Sequence, residues 1–311
     1  QSQISTDPVY GTMGGAALSV SDVLGNEAYN FLIYNTAQTS SELLSSFNIA
    51  ISRVSTGQRA PYAYGIFNFS GRRYDLLDPD LYFIERAFGG YVSLAYPLST
   101  FRRLEGTISL SSSDKEALYE VRQRKALLLT NSVSYVKDNA LYYITGPIDG
   151  NRFNLTLSTT TDIQYSNVNF FSVMADYRRY FRIAQRAAVA TRFELLYNSG
   201  KEARRYFLGG SWDLRGWPRW SIRGTKRWLT SCELRFPLLD RVGFDFPFGA
   251  LDFGVLRGAI FADAGNAWDE VYTTTKGSIG AGIRFNLFGI LVLRYDVGKR
   301  IEENFTRLQD G

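Results

Sequence analysis

Period-two alternation of apolar and polar side chains, repeated to the end of the chain, constrains this sequence more than any other feature. In "SIGAGIRFNLF", residues 278 to 288, Ile279, Ala281, Ile283, Phe285 and Leu287 fall on one side. Ser278, Gly280, Gly282, Arg284 and Asn286 fall on the other. A helix would scatter both sets around its axis, whereas an extended strand separates them onto two faces. The same holds for "SFNIAISR", where Phe47, Ile49 and Ile51 oppose Asn48, Ala50 and Ser52. About fourteen such strands can be drawn, each near the ~9–11 residues that cross a bilayer when tilted. Their cores fall at 11–21, 28–37, 46–55, 62–71, 87–98, 104–113, 125–137, 151–161, 168–182, 186–198, 226–236, 254–265, 278–288 and 290–300. Short turns such as "RIAQ" and "FG" and longer polar loops such as "SSDKEALYEVRQ" connect them, which suits a meander of antiparallel hairpins.

Alternation alone does not say which solvent each face meets. A soluble sandwich turns its polar face to water and buries the apolar one; a membrane barrel presents the apolar face to lipid and encloses the polar one. Three features favour the barrel. The strands are too many for a usual single sandwich and come without domain breaks. Aromatic residues gather near strand ends, as at Tyr62 and Tyr64, Tyr142 and Tyr143, and Tyr177, Tyr180 and Phe181. Their amphipathic rings suit a headgroup boundary. Finally, charges such as Arg192, Glu194, Arg284 and Arg294 lie within strands, which costs less across a wet interior than in a dry core. The expectation is an all-β protein, an antiparallel transmembrane β-barrel of fourteen clear strands and sixteen when complete. Residues 1–9 read as a linker or terminus, 10–301 as the barrel, and 302–311 as a polar tail or incomplete last strand.

Composition narrows the chemistry. The chain has no His and a single Cys, Cys232. A His-based triad and an internal disulfide are therefore impossible, and no enzymatic role, metal or cofactor is expected. The net charge of +5 is modest and spread along the 311 residues, which argues against a nucleic-acid partner. No apolar run is long enough for a transmembrane helix.

The stretch "YFLGGSWDLRGWPRW", residues 206 to 220, breaks the alternation. It resembles the sixth outer loop of the BamA/TamA-type barrels, the superfamily that assembles or exports proteins at bacterial outer membranes. Relatives read aromatic-x-Gly-Gly, then Val/Leu-Arg-Gly-Phe/Tyr. Here these are Phe207, Gly209 and Gly210, then Leu214, Arg215, Gly216 and Trp217, with Trp in place of the final Phe or Tyr. "SCELRFPL", "FADAGNAW" and "GAGIRFNLFGILVLRYDVG" resemble the strands that follow, in matching order.

The resemblance implies that the loop folds into the lumen and that Arg215 lies against acidic residues of the inner wall. Parity supplies the partners independently. Glu233 shares a face with Leu229, Ser231 and Arg235, and Asp263 shares one with Arg257 and Ala259, so both acids point inward. Arg215, Glu233 and Asp263 are the expected lumen latch. Asp213 and Arg219 read as ordinary loop charges, and Trp212 and Trp220 as packing or interface anchors.

The family also implies localisation as an integral protein of the bacterial outer membrane. Its partners would be outer-membrane lipids, an unfolded or exported protein client, and periplasmic or envelope accessory subunits. The alternatives are a passive or ligand-selective pore, and a structural subunit of a larger envelope complex. Relatives usually close with sixteen strands and carry periplasmic modules before the barrel. Counterparts of the first and last strands are weak here unless residues 2–9 and 303–311 supply short ones.

Overall fold

This computed structural model describes residues 2–7, 11–37, 46–74, 82–117, 123–143, 146–239, 243–247, 249–252, 256–287, 291–302 and 307–310. Among them there is no helix. The strands are β1 (Ser2–Asp7), β2 (Gly11–Ser21), β3 (Glu27–Asn35), β4 (Phe47–Ser55), β5 (Tyr62–Tyr74), β6 (Tyr82–Ser99), β7 (Arg102–Ala117), β8 (Gln123–Asp138), β9 (Leu141–Tyr143), β10 (Gly146–Asp162), β11 (Asn169–Ala184) and β12 (Ala187–Lys201). They continue with β13 (Tyr206–Leu208), β14 (Ile222–Gly224), β15 (Lys226–Leu239), β16 (Gly243–Phe246), β17 (Gly249–Asp252), β18 (Leu256–Trp268), β19 (Lys276–Leu287), β20 (Leu291–Glu302) and β21 (Arg307–Asp310). Seventeen of them, the three-residue β9 included, join one large sheet, while β13–β14 and β16–β17 form separate two-stranded hairpins.

All fourteen expected strands are present, as β2–β8, β10–β12, β15 and β18–β20. In addition, β1 pairs antiparallel with β2 and β21 with β20. The "FG" turn lies outside the described residues.

The chain divides into two compact units. Residues 1–136, 156–173 and 198–204 make the first, and 137–155, 174–197 and 205–311 the second. In the first, β1 to β7 pair in chain order. Its cross-strand rows show which face meets which solvent. Phe31, Ile51, Ile66, Gly90 and Leu110 form one outward row, and Ile66 and Phe88 are 58% and 62% exposed. On the opposite face Asn48, Glu85 and Ser113 are 2%, 3% and 1% exposed. Glu85 there accepts a 2.6 Å hydrogen bond from Ser113 Oγ. A soluble sandwich would bury the apolar rows. Here they are the outer surface, far beyond what a water-facing protein leaves uncovered.

Several strands outrun the bilayer. β6 has 18 residues and β10 has 17. Of the stretch read as the loop "SSDKEALYEVRQ", residues 112–117 belong to β7 and Gln123 to β8, while 118–122 lie outside the described residues. The outward series Leu104, Ile108 and Leu110 gives way to Ser112, Asp114 and Glu116. Pairing nevertheless continues, with Asp114 opposite Arg86 and Lys115 opposite Glu85. Opposite charges on facing strands support the ladder where lipid no longer does.

Asp162 closes β10 in a similar polar extension, past the outward Thr159 and Thr161. Its Oδ1 accepts hydrogen bonds from the backbone N–H of Leu127 (3.0 Å), Gln164 (3.2 Å) and Tyr165 (3.1 Å), and Oδ2 from Asn167 (2.9 Å). Burial pushes its pKa up, but these backbone donors outweigh it and hold the carboxyl at about 2. A depressed carboxylate pKa stabilises above the unfolded value near 3.8 and loses that contribution as pH falls through about 2. Amides at 163–168 should therefore lose exchange protection between about pH 4 and 2. Asp162→Asn should show weaker protection at neutral pH and no such acid step.

In the second unit, β15, β18, β19 and β20 pair in order, and β12 joins β15. The outward positions again include Ile260, Ile283 and Tyr295. Cys232 lies on this outward face, opposite Thr191 on β12 and Ala262 on β18, as an exposed free thiol.

Candidate functional site: an arginine-anchored loop on the polar face

The site belongs to the second unit. Residues 206–224 return on themselves through the short β13–β14 hairpin, with Tyr206 opposite Gly224 and Leu208 opposite Ile222. The loop has its own small core. Leu208, Leu214 and Ile222 pack with Leu229 of β15 and Ala267 of β18, and Trp217 lies against them. Leu208 and Leu214 are fully buried. Leu229 and Ala267 both sit on the polar side of their strands, so this cluster is an apolar island on a face otherwise given to charge.

The glycines of the motif meet backbone requirements that other residues would strain. Gly209, Gly210 and Gly216 have φ of 115°, 111° and 81°, a region only glycine enters freely. At Gly209 an added Cβ would also overlap the carbonyl oxygen of Pro218, where the loop turns back.

The structure brings Arg215, Glu233 and Asp263 together. Arg215 Nε donates to Asp263 Oδ2 at 2.6 Å and Nη2 donates to Asp263 Oδ1 at 2.6 Å. Nη1 donates to Glu233 Oε2, and Nη2 also reaches Ser231 Oγ at 3.2 Å. All three charged side chains are buried, with Arg215 4%, Glu233 7% and Asp263 3% exposed. Each acid has further partners. Ser231 Oγ donates to Asp263 Oδ1 at 2.6 Å, and Glu233 accepts from Arg235 Nε at 2.8 Å and Arg284 Nη2 at 3.1 Å. The planar guanidinium fork explains why an arginine stands here: it matches a carboxylate with two parallel bonds.

Four contacts were not foreseen from the sequence. First, Arg215 Cζ lies 3.6 Å from the centroid of the Phe261 ring. That ring crosses two inward glycines, since a Cβ on Gly280 or Gly298 would stand 2.6 Å or 3.2 Å from Phe261 Cζ. The latch therefore rests on an aromatic platform laid over bare backbone. Second, Asp213 is no ordinary loop charge. Its Oδ1 accepts from Arg227 Nη2 at 3.0 Å, and Arg227 also pairs with Glu194 Oε2 at 2.7 Å. Third, Arg227 Nη1 donates to the Phe207 carbonyl at 2.5 Å, adding a bond from β15 to the loop backbone.

Fourth, Trp217 does more than keep an aromatic in the last place of the motif. Its Nε1–H donates to the Gly277 carbonyl at 2.9 Å, a bond that Phe could not make. Arg300 of β20 donates to the Gly216 carbonyl. Of the remaining loop residues, Trp212 is exposed with Arg294 stacked near its ring at 5.2 Å, and Arg219 lies 4.0 Å from the Trp220 ring. Parity could have flagged Arg227 and Phe261, which share the inward face with Glu233 and Asp263. Nothing in the sequence pairs Asp213 with either.

Among the described residues no group of His, Cys, Asp and Glu is arranged to hold a metal. The arrangement ties the loop to β15 and β18 through Arg215.

Comparison with known proteins agrees with this architecture. No match to a curated protein is found. In three dimensions the chain is similar to BamA from Haemophilus ducreyi lacking POTRA domains 1–3, with a TM-score of 0.74 at 14% identity, over 99% of this chain and 67% of that one. It is also similar to CdiB from Acinetobacter baumannii, with a TM-score of 0.55 at 11% identity, over 94% and 53% of the two chains. A third similarity is to CdiB from Escherichia coli, with a TM-score of 0.58 at 14% identity, over 100% and 65%. At these identities the likeness speaks for the fold. The chain spans about half to two thirds of the length of those structures. The Omp85 superfamily domain matches residues 20–304. The chain belongs to the Omp85 superfamily, as an integral β-barrel of a bacterial outer membrane.

Proposed function

We propose that this chain is the membrane-embedded part of a machine that inserts proteins into the outer membrane or translocates them across it. The observation that carries this reading is the loop of residues 206–224, which bears the motif of such barrels and is docked on the polar face by Arg215. A barrel of this kind performs no bond chemistry. It offers a client an edge for strand pairing, a disturbed bilayer and a polar conduit. Accessory subunits in the periplasm would deliver the client. A passive pore is the weaker reading, because a folded loop with its own apolar core occupies space that a steady conduit needs.

Reconstitution tests the proposal. The protein in phospholipid vesicles should speed the insertion of a urea-unfolded outer-membrane barrel client, or the passage of an exported one, scored by protease protection. Large and steady single-channel currents, with no acceleration of any client, would establish the pore instead.

A further inference from the structure

On the outward face of the first unit lies a groove of ≈ 770 Å³, within the ~300–1,000 Å³ typical of small-ligand sites. Its walls are Ile51, Ile66, Val92, Ile108 and Leu110. The gap exists because Gly90 occupies an outward position between Ile66 on β5 and Leu110 on β7, where its neighbours along β6 are Phe88 and Val92. One end of the groove is polar. Tyr29, Arg53, Tyr64, Val92 and Ile108 form a single cross-strand row.

Arg53 is an anomaly on a lipid-facing surface, and it is held firmly. Its Nε donates to Glu27 Oε2 at 2.9 Å and its Nη1 to Tyr64 Oη at 3.2 Å, while its Cζ lies 5.9 Å from the Tyr29 ring centroid. Ser55 Oγ fixes Glu27 from the other side at 2.7 Å. Among the described residues Arg53 Nη2 has no hydrogen-bond partner, and the side chain is about one-third exposed. Charge on a barrel's outer face is tolerated at the headgroup level and costly at the bilayer midplane. Tyr29, Tyr62, Tyr64 and Tyr96 gather at this end of β3, β5 and β6, as amphipathic rings do at a headgroup boundary. The turns at this end are 22–26, 56–61 and the two-residue 100–101. Short turns belong to the periplasmic side of outer-membrane barrels.

We propose that this groove binds one glycerophospholipid of the periplasmic leaflet, with an acyl chain along Gly90 and the phosphate on the free edge of the Arg53 guanidinium. The charge match is direct: a planar cation with unused donors faces the depth at which phosphates lie. Glu27 positions the cation, and Tyr64 adds a hydroxyl beside it. This inference rests on the membrane location and is independent of what the barrel carries.

The test uses the whole protein in phosphatidylcholine nanodiscs doped with phosphatidylglycerol that bears a diazirine on one acyl chain. Labelling should concentrate on peptides containing residues 51–53, 64–66 and 90–92. Arg53→Gln should lower that labelling about tenfold, the scale of a lost charge-assisted hydrogen bond. Val92→Trp, which fills the groove and leaves Arg53 in place, should lower it as well. Circular dichroism would verify that both variants are folded. The proposal is overturned if labelling is spread evenly over all outward strands, if neither variant changes it, or if added lipid A displaces the probe and so assigns the groove to the other leaflet.

Discussion

Replacing Arg215 with alanine should release residues 206–224 from the polar face while leaving the strands paired. Removing one partner of a buried ion pair costs about 3–5 kcal/mol, because the other charge is left without compensation. The loss falls mainly on Asp263, since Glu233 keeps Arg235 and Arg284. Local opening of that size corresponds to about a hundredfold or greater fall in amide exchange protection. The fall should be confined to the loop and should not spread to β15 or β18. Arg215→Lys should recover little of it, because an ammonium cannot make the two parallel bonds that the guanidinium makes to Asp263. Combined with Asp263→Ala, the two changes should couple by about 1 to 3 kcal/mol. Strictly additive effects would mean that the loop is held by its apolar core alone. In a functional assay, Arg215→Ala should impair client handling while membrane insertion of the barrel itself continues.

The second large effect is expected at Gly280. A side chain there would overlap the carbonyl oxygen of Val297 and push against the Phe261 ring, on which Arg215 is stacked. Gly280→Val should therefore destabilise the protein by about 3 kcal/mol through overpacking, and should loosen the loop although it touches no charged group. Gly106→Val is the matching control, since a side chain at that outward position meets nothing within 4 Å. Thermal unfolding in detergent distinguishes them: the Gly280 variant should melt well below the parent, and the Gly106 variant at the parent's temperature. Equal melting of all three would remove the platform from the account.

The fourteen strand cores were legible because lipid enforces a strong alternation. Outward positions within the bilayer are mostly apolar, with few exceptions such as Asn131 and Thr230, and inward ones are free to be polar. Past the bilayer the rule lapses. Ser112, Asp114, Thr159 and Thr161 face outward into water, so the pattern fades while the ladder continues, and strand ends in β7 and β10 could not be placed from it. Parity also places Glu233 and Asp263 on the inward face from the sequence alone. It could not reveal Asp213, because a loop residue has no parity and its partner Arg227 is chosen by the fold. Phe261 was missed for the opposite reason: an aromatic at an inward position looks like a lapse in the pattern, and only the bare glycines beside it explain it. The β13–β14 hairpin is three residues on each side, too short for periodicity to register.

Cys232 has a practical consequence. It is the chain's single thiol, it points outward from β15, and the very next residue, Glu233, points inward to Arg215. A spin label or fluorophore attached there would sit among acyl chains and need no cysteine removed elsewhere. Because the reporter and the anchor share one peptide bond of rigid backbone, its spectrum would register release of the loop from the far side of the wall.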